Sequence, residues 1–179
     1  TGANTFTGAV SVDQGSLVIR NNTAAGTVGR GVTVAADATL ELRDGIAIGD
    51  ESLILNGNGV GNQLKTTSLV NTWGGPVTMA GGAVGIAAMG GDLIINGVIS
   101  DAGGGFKKIG AENLTLAGAN TFTGPMTIDS GVVVLRNNGA AGTVDGGVTV
   151  LAGAQLSLEN DITVGAETPL IQFTAKMVR

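Results

Sequence analysis

The sequence predicts an all-β chain coiled into a β-solenoid of about eight turns of ~22 residues, and three observations predict it. Apolar residues recur at i, i+2 almost everywhere, the period of a strand with one face buried. The pairs themselves return at a near-constant interval: Val10 to Val32 is 22 residues, Val32 to Leu53 is 21, and Leu17 to Leu40 is 23. A long segment also occurs twice, for the run Gly2-Ala3-Asn4-Thr5-Phe6-Thr7-Gly8 returns from position 118 onward, an offset of 116. Between Gly2 and Gly49, 28 of the 48 aligned positions are identical to those of 118–165.

In chain order, the strand pairs are Val10/Val12, Leu17/Ile19, Val32/Val34, Leu40/Leu42, Ile46/Ile48 and Leu53/Leu55. After a less regular middle over 57–91 follow Leu93/Ile95, Leu114/Leu116, Met126/Ile128, Val133/Leu135, Val148/Val150, Leu156/Leu158 and Ile162/Val164. Within the middle, Val77/Met79 and Val84/Ile86 continue the pattern. The alternating Gly and Asn of Asn56–Gly61 predict a bulge or loop there, and Gly103-Gly104-Gly105 predicts a turn. The 32 glycines penalise helix throughout.

Stacked turns should line up inward residues as ladders, here Val10–Val32–Leu53, Leu17–Leu40, Met126–Val148–Leu170 and Val133–Leu156. About eight turns at the ordinary ~4.8 Å strand spacing give a rod roughly 40 Å long. A two-sheet sandwich is the competing architecture, but it needs longer strands joined by hairpins. The chain reads as a single solenoid over 1–179, with 2–49 resembling 118–165.

Composition narrows function. The chain has no His, which removes the commonest general base and metal ligand, and no Cys, which removes thiol chemistry. A net charge of −5 without a basic stripe argues against nucleic acid as partner. Mean hydropathy is positive at +0.36, yet no run approaches the ~18 apolar residues of a membrane helix.

The segment Asn96–Gly124 carries Gly97-Val98-Ile99, Gly104-Gly105-Phe106-Lys107-Lys108-Ile109-Gly110, Leu114-Thr115-Leu116-Ala117-Gly118 and Asn120-Thr121-Phe122-Thr123-Gly124. It continues as Met126-Thr127-Ile128 and Gly131-Val132-Val133-Val134-Leu135. This order of residues resembles the autotransporter-associated β-strand repeat, also called the passenger-associated transport repeat. Phe106, Lys107, Glu112-Asn113, Phe6 and Phe122 depart from the usual residues without breaking the strand pattern. The resemblance implies a right-handed parallel β-helix in the secreted passenger of a Gram-negative surface protein. It also implies an extracellular or outer-surface location and a role in export and stalk. No translocator barrel fits into Leu170–Arg179, and Thr1 falls inside a repeat motif, so the chain is expected to be internal to a longer one.

Sites are few. Asp13 and Asp129, each two residues before a glycine, read as turn residues. Asp44, Asp50, Glu51, Glu159 and Asp161 have calcium-ligand chemistry, but solvated loop charge is the simpler reading. Lys107-Lys108 reads as surface charge. Arg20 and Arg136, each followed by two Asn, and Trp73 are the candidate ligand face. The simpler reading stacks the Asn in a turn ladder and anchors Trp73 in the core. Phe6 and Phe122 read as packing residues.

The expected function is structural and non-enzymatic, without cofactor. The chain is read as a stalk, spacer or fibre subunit whose partners are flanking passenger segments or other copies of itself, stacked end to end. The alternative is an adhesin that binds glycan or host protein on a lateral face. A polysaccharide-cleaving enzyme would need two carboxylates facing one cleft, which the sequence does not offer.

Overall fold

The computed structural model describes residues 2–27, 29–59, 61–143, 145–163 and 171–173. Among them are nineteen strands in three sheets and no helix. The first sheet stacks β1 (Val10–Val12), β3 (Val32–Val34), β6 (Leu53–Gly57), β9 (Val77–Gly81) and β12 (Ile99–Asp101). The second stacks β2 (Gly15–Ile19), β4 (Ala38–Leu42), β7 (Leu64–Thr66), β10 (Val84–Ala88), β13 (Phe106–Ile109), β15 (Met126–Ile128), β17 (Val148–Val150) and β19 (Ile171–Phe173). The third stacks β5 (Ala47–Ile48), β8 (Asn71–Trp73), β11 (Leu93–Ile95), β14 (Asn113–Leu116), β16 (Val132–Leu135) and β18 (Gln155–Leu158).

Each strand pairs in parallel with strands one turn before or after it, never with its chain neighbour. Hairpin-built sandwiches pair chain neighbours antiparallel, so this pattern is that of a solenoid. The eight strands of the second sheet mark about seven turns, close to the eight expected. Val10 faces Val32, Val32 faces Leu53, and Leu17 faces Leu40. Met126 faces Val148, and Val133 faces Leu156. The spacing of 22 from Val148 nominated Leu170, which lies outside the described residues. The partner that Val148 takes in β19 is Ile171.

Alternate residues point inward because the strand period is two. Val32, Leu40, Leu53, Leu64, Ile86, Leu93, Leu114, Met126 and Val133 are all fully buried in one continuous core. Each such side chain contributes roughly 1.5–3 kcal/mol by leaving water. Val10, Leu17 and Leu156, nearer the ends of the stack, are only partly buried against it. The middle segment is covered on all three faces by β7 to β10, and Val77 and Val84 pair with Ile99 and Phe106. Asn56 and Gly57, expected in a loop, instead extend β6 by pairing with Ala80 and Gly81.

One corner requires glycine. A methyl on Gly97 would lie 1.8 Å from the carbonyl oxygen of Gly75, and one on Gly118 would lie 2.5 Å from that of Gly97. The backbones of three turns approach there without room for a Cβ.

The two long copies do not sit on the same face. Val10 of β1 and its counterpart Met126 of β15 belong to the first and second sheets, and β2 and its counterpart β16 belong to the second and third. An offset of 116 residues therefore spans five turns and one further face. The described residues of 20–31 carry no strand and pass along the third face, whereas those of 136–147 carry none and pass along the first.

Candidate functional site

The three residues nominated as a ligand face do not share one. Arg20 leaves β2 on the second sheet and lies 3.4 Å from Asp44 of the next turn. Arg136 leaves β16 on the third sheet, and its Nε donates to Glu159 Oε2 at 2.7 Å. Both guanidinium groups tie one turn to the next, in exposed ion pairs of the kind worth about 0–1 kcal/mol. Trp73 is 0% exposed in β8, between Ile48 and Ile95. It is a core residue and offers no surface for a sugar to stack on. Its Nε1 has no hydrogen-bond partner among the described residues.

The Asn pairs after the two arginines bind backbone. Asn21 Oδ1 accepts from the Thr23 N–H, and Asn22 Oδ1 accepts from the Ala47 N–H at 2.9 Å, one turn on. In the second copy Asn137 accepts from Gly139 N–H, and Asn138 from Thr163 N–H at 2.9 Å. Side-chain amides thus replace the missing strand pairing where 20–27 and 136–143 bend.

Three ionisable groups are buried or firmly held, two of them, Lys108 and Glu51, deeper than their sequence reading as solvated charge. Lys108 is 0% exposed, not surface charge. Its Nζ donates to Gly110 O at 2.7 Å and to Ser130 O at 3.0 Å, joining two turns. Burial pushes its ammonium down to about 8, and the carboxylates of Glu112 and Asp92 only partly offset this. The sequence did hold a signal: Phe106 and Lys108 are an i, i+2 pair, so an inward Phe106 puts Lys108 inward too. Glu51, expected in solvent, is 3% exposed, and its Oε1 accepts from the Gly31 N–H at 2.5 Å.

Asp101 is the third. Its two oxygens accept from the backbone N–H groups of Gly105, Thr123 and Gly124 at 2.8, 2.7 and 2.9 Å. Burial raises its pKa, but these donors outweigh burial and hold the carboxyl below its ordinary range. Asp101 thereby ties the Gly103–Gly105 bend to the Asn-Thr-Phe-Thr-Gly run one turn later. Asp129, read as a turn residue, also faces Lys107 at 3.3 Å. Among the described residues, no three acidic side chains gather as a metal site would require.

Phe122 is 1% exposed beneath Phe106 of the preceding turn, edge to face at 5.5 Å. Its counterpart Phe6 is 42% exposed. Both rings lie over a glycine of the next turn, Gly142 and Gly26, where a methyl would come within 2.5 and 2.6 Å of the ring.

The run that Asp101 and Phe122 organise can be compared with known families. Residues 1–19 and 106–135 match the passenger-associated-transport-repeat family. The chain carries passenger-associated transport repeats. Over 148 residues, 75% of its length, it is 35% identical to the adhesin BmaC autotransporter of Brucella suis biovar 1 (strain 1330). The chain spans only 4% of that relative's length. No solved structure matches it. The transport repeat and the solenoid support a structural passenger segment. They place it at the surface of a Gram-negative cell or secreted from one, and they point to a non-catalytic role. No helix among the described residues is long and apolar enough to cross a membrane.

Proposed function

We propose that the chain is a stalk segment that grows by stacking further turns on its ends, donated by flanking passenger sequence or by another copy of itself. The observation that carries this reading is the contrast between Phe122, covered by Phe106 of the turn before, and Phe6, uncovered at 42% exposure. The ring of Phe6 sits at the edge of the stack beside β1, whose outer backbone groups lack a strand partner among the described residues. An unpaired parallel edge with an apolar ring beside it is a template for one more turn. Stacking of copies head to tail is heterologous and does not close, so it yields filaments.

Adhesion through a lateral face, the other reading, loses the residues that suggested it. Trp73 is interior, and Arg20 and Arg136 stand on different faces in pairs of their own. Sedimentation velocity over a concentration series tests the stalk reading. The chain should form larger species as concentration rises, and Phe6→Asp should keep it monomeric with its fold intact by circular dichroism. A wild-type chain that stays monomeric at high concentration refutes stacking between copies. Association unchanged by Phe6→Asp refutes the role of that end.

A further inference from the structure

Midway along the described stack, the corner between the second and third faces carries an exposed apolar patch. Leu69 and Val70, just before β8, are 65% and 50% exposed, and Met89, just after β10 one turn on, is 46% exposed. Gly90 and Gly91 continue the patch and keep it flat. A methyl on Gly91 would lie 1.8 Å from the Leu69 carbonyl oxygen, and one on Gly90 would lie 2.5 Å from that of Thr67. The corner follows β7 and β10, the inner strands of the second sheet, so it does not depend on stacking at the ends. Contiguous exposed apolar residues, unlike single ones, mark contact surfaces.

Leu69 is held there against backbone preference. Its φ is 53°, and the other non-glycine residues with positive φ among those described are Asp44, Asn160 and Asp161, whose short polar side chains tolerate that region. Leucine has no such tolerance, so the fold keeps strain at a residue whose side chain faces solvent. The rim of the patch is acidic. Exposed Glu112 lies beside Met89, its N–H donating to Ala88 O, and Asp92 lies over Val70, its carbonyl accepting from the Asn71 N–H. Neither carboxylate is ion-paired among the described residues. Lys108 acts on both from within, but its ammonium is buried and donates to Gly110 O and Ser130 O. The surface cations Arg20, Arg43, Lys65, Lys107 and Arg136 each face other carboxylates. A second copy, with its net charge of −5, is therefore a poor occupant, and a cationic one is favoured.

We propose that this corner docks a basic, apolar segment of a partner protein, with Leu69, Val70 and Met89 taking its apolar side chains and Asp92 and Glu112 its Lys or Arg. Leu69 and Glu112 stand two turns apart. That is ~10 Å at the ordinary strand spacing, which about three residues of extended chain cover. The segment therefore carries its basic side chains about three residues from its apolar ones. None of these residues belongs to the arginine and tryptophan set that first suggested a lateral ligand.

The test is an NMR titration of the full chain, following backbone amides, with the acetylated and amidated peptide Leu-Leu-Ala-Lys-Lys. It should produce saturable shifts at Ser68, Val70, Gly90 and Gly91, and added salt should weaken them. The control peptides Ser-Ser-Ala-Lys-Lys and Leu-Leu-Ala-Glu-Glu should each bind at least about fivefold more weakly. Glu112→Gln should weaken Leu-Leu-Ala-Lys-Lys about twofold to fivefold with the fold unchanged. Leu69→Asn suits the positive φ, so it should keep or raise the melting temperature while abolishing the shifts, whereas a residue that only held the corner together would lower it. Self-association of the Phe6→Asp chain that Leu69→Asn abolishes would assign the patch to a second copy and overturn the proposal. No saturable shift with Leu-Leu-Ala-Lys-Lys, equal binding of either control peptide, or shifts retained in Leu69→Asn would overturn it as well.

Discussion

Replacing Lys108 by Met removes a buried ammonium while keeping an unbranched side chain of similar reach. The informative quantity is how the effect changes with pH. In the unfolded chain the amine has its ordinary value of 10.5, and in the fold it is pushed down to about 8. Between these values the unfolded state holds a proton that the folded state has released, so wild-type stability rises with pH through this window. The disadvantage of the charged lysine is fully present below about 8 and is gone above 10.5. Each pH unit inside the window is worth ~1.4 kcal/mol, so moving from about pH 8 to about pH 9.5 should add about 2 kcal/mol to wild type and nothing to the variant from this site. With no His, Cys or Tyr in the chain, few other groups titrate there. Urea unfolding of wild type and Lys108→Met at both pH values measures the difference of differences. Parallel stability curves for the two proteins would refute the reasoning, since they would mean that Lys108 is solvated or keeps its charge in the fold.

Asp101→Asn removes the charge that three backbone N–H groups converge on, and at neutral pH it should cost about 1–3 kcal/mol in denaturant unfolding. Because the folded carboxyl is held below its ordinary 3.8, the stability it confers is present above that value and is lost as pH falls through the folded value. The wild type and the variant should therefore converge in acid, and a constant gap would contradict the assignment. Gly97→Ala places a methyl 1.8 Å from the Gly75 carbonyl oxygen, which backbone cannot yield without parting two turns. It should lower stability by about 1–3 kcal/mol or more, with amide exchange quickened first around Gly75, Gly97 and Gly118. A variant as stable as wild type would show that the corner is looser than described.

Ladder contacts such as Leu17–Leu40 and Val133–Leu156 were legible because a strand has period two and a stacked turn repeats its length, so sequence spacing translates directly into register. The spacing of 22 from Val148 lands on Leu170, outside the described residues, whereas the partner seen in β19 is Ile171, 23 residues on. The candidate ligand face does not come together for a different reason. The reading that anchors Trp73 in the core agrees with its burial, but the residue closes strand β8 with its side chain inward rather than sitting in a loop ahead of Gly-Gly-Pro. The arginines were joined because their sequence contexts match, and matching context does not mean a common face.

What the sequence by itself determined is therefore the class of object. Alternating apolar residues, turns of ~22 residues rich in glycine, and a doubled transport repeat suffice for a stacked rod, because each of these is a local property or a simple period. The tertiary structure decided how the rod is phased. An offset of 116 residues is not a whole number of turns, so Arg20 and Arg136 are turned by one face, and only strand pairing reveals it. It also decided which charges are interior. The burial of Lys108 and Glu51 depends on what the turns above and below place over them, and that neighbourhood lies about one turn away in the chain.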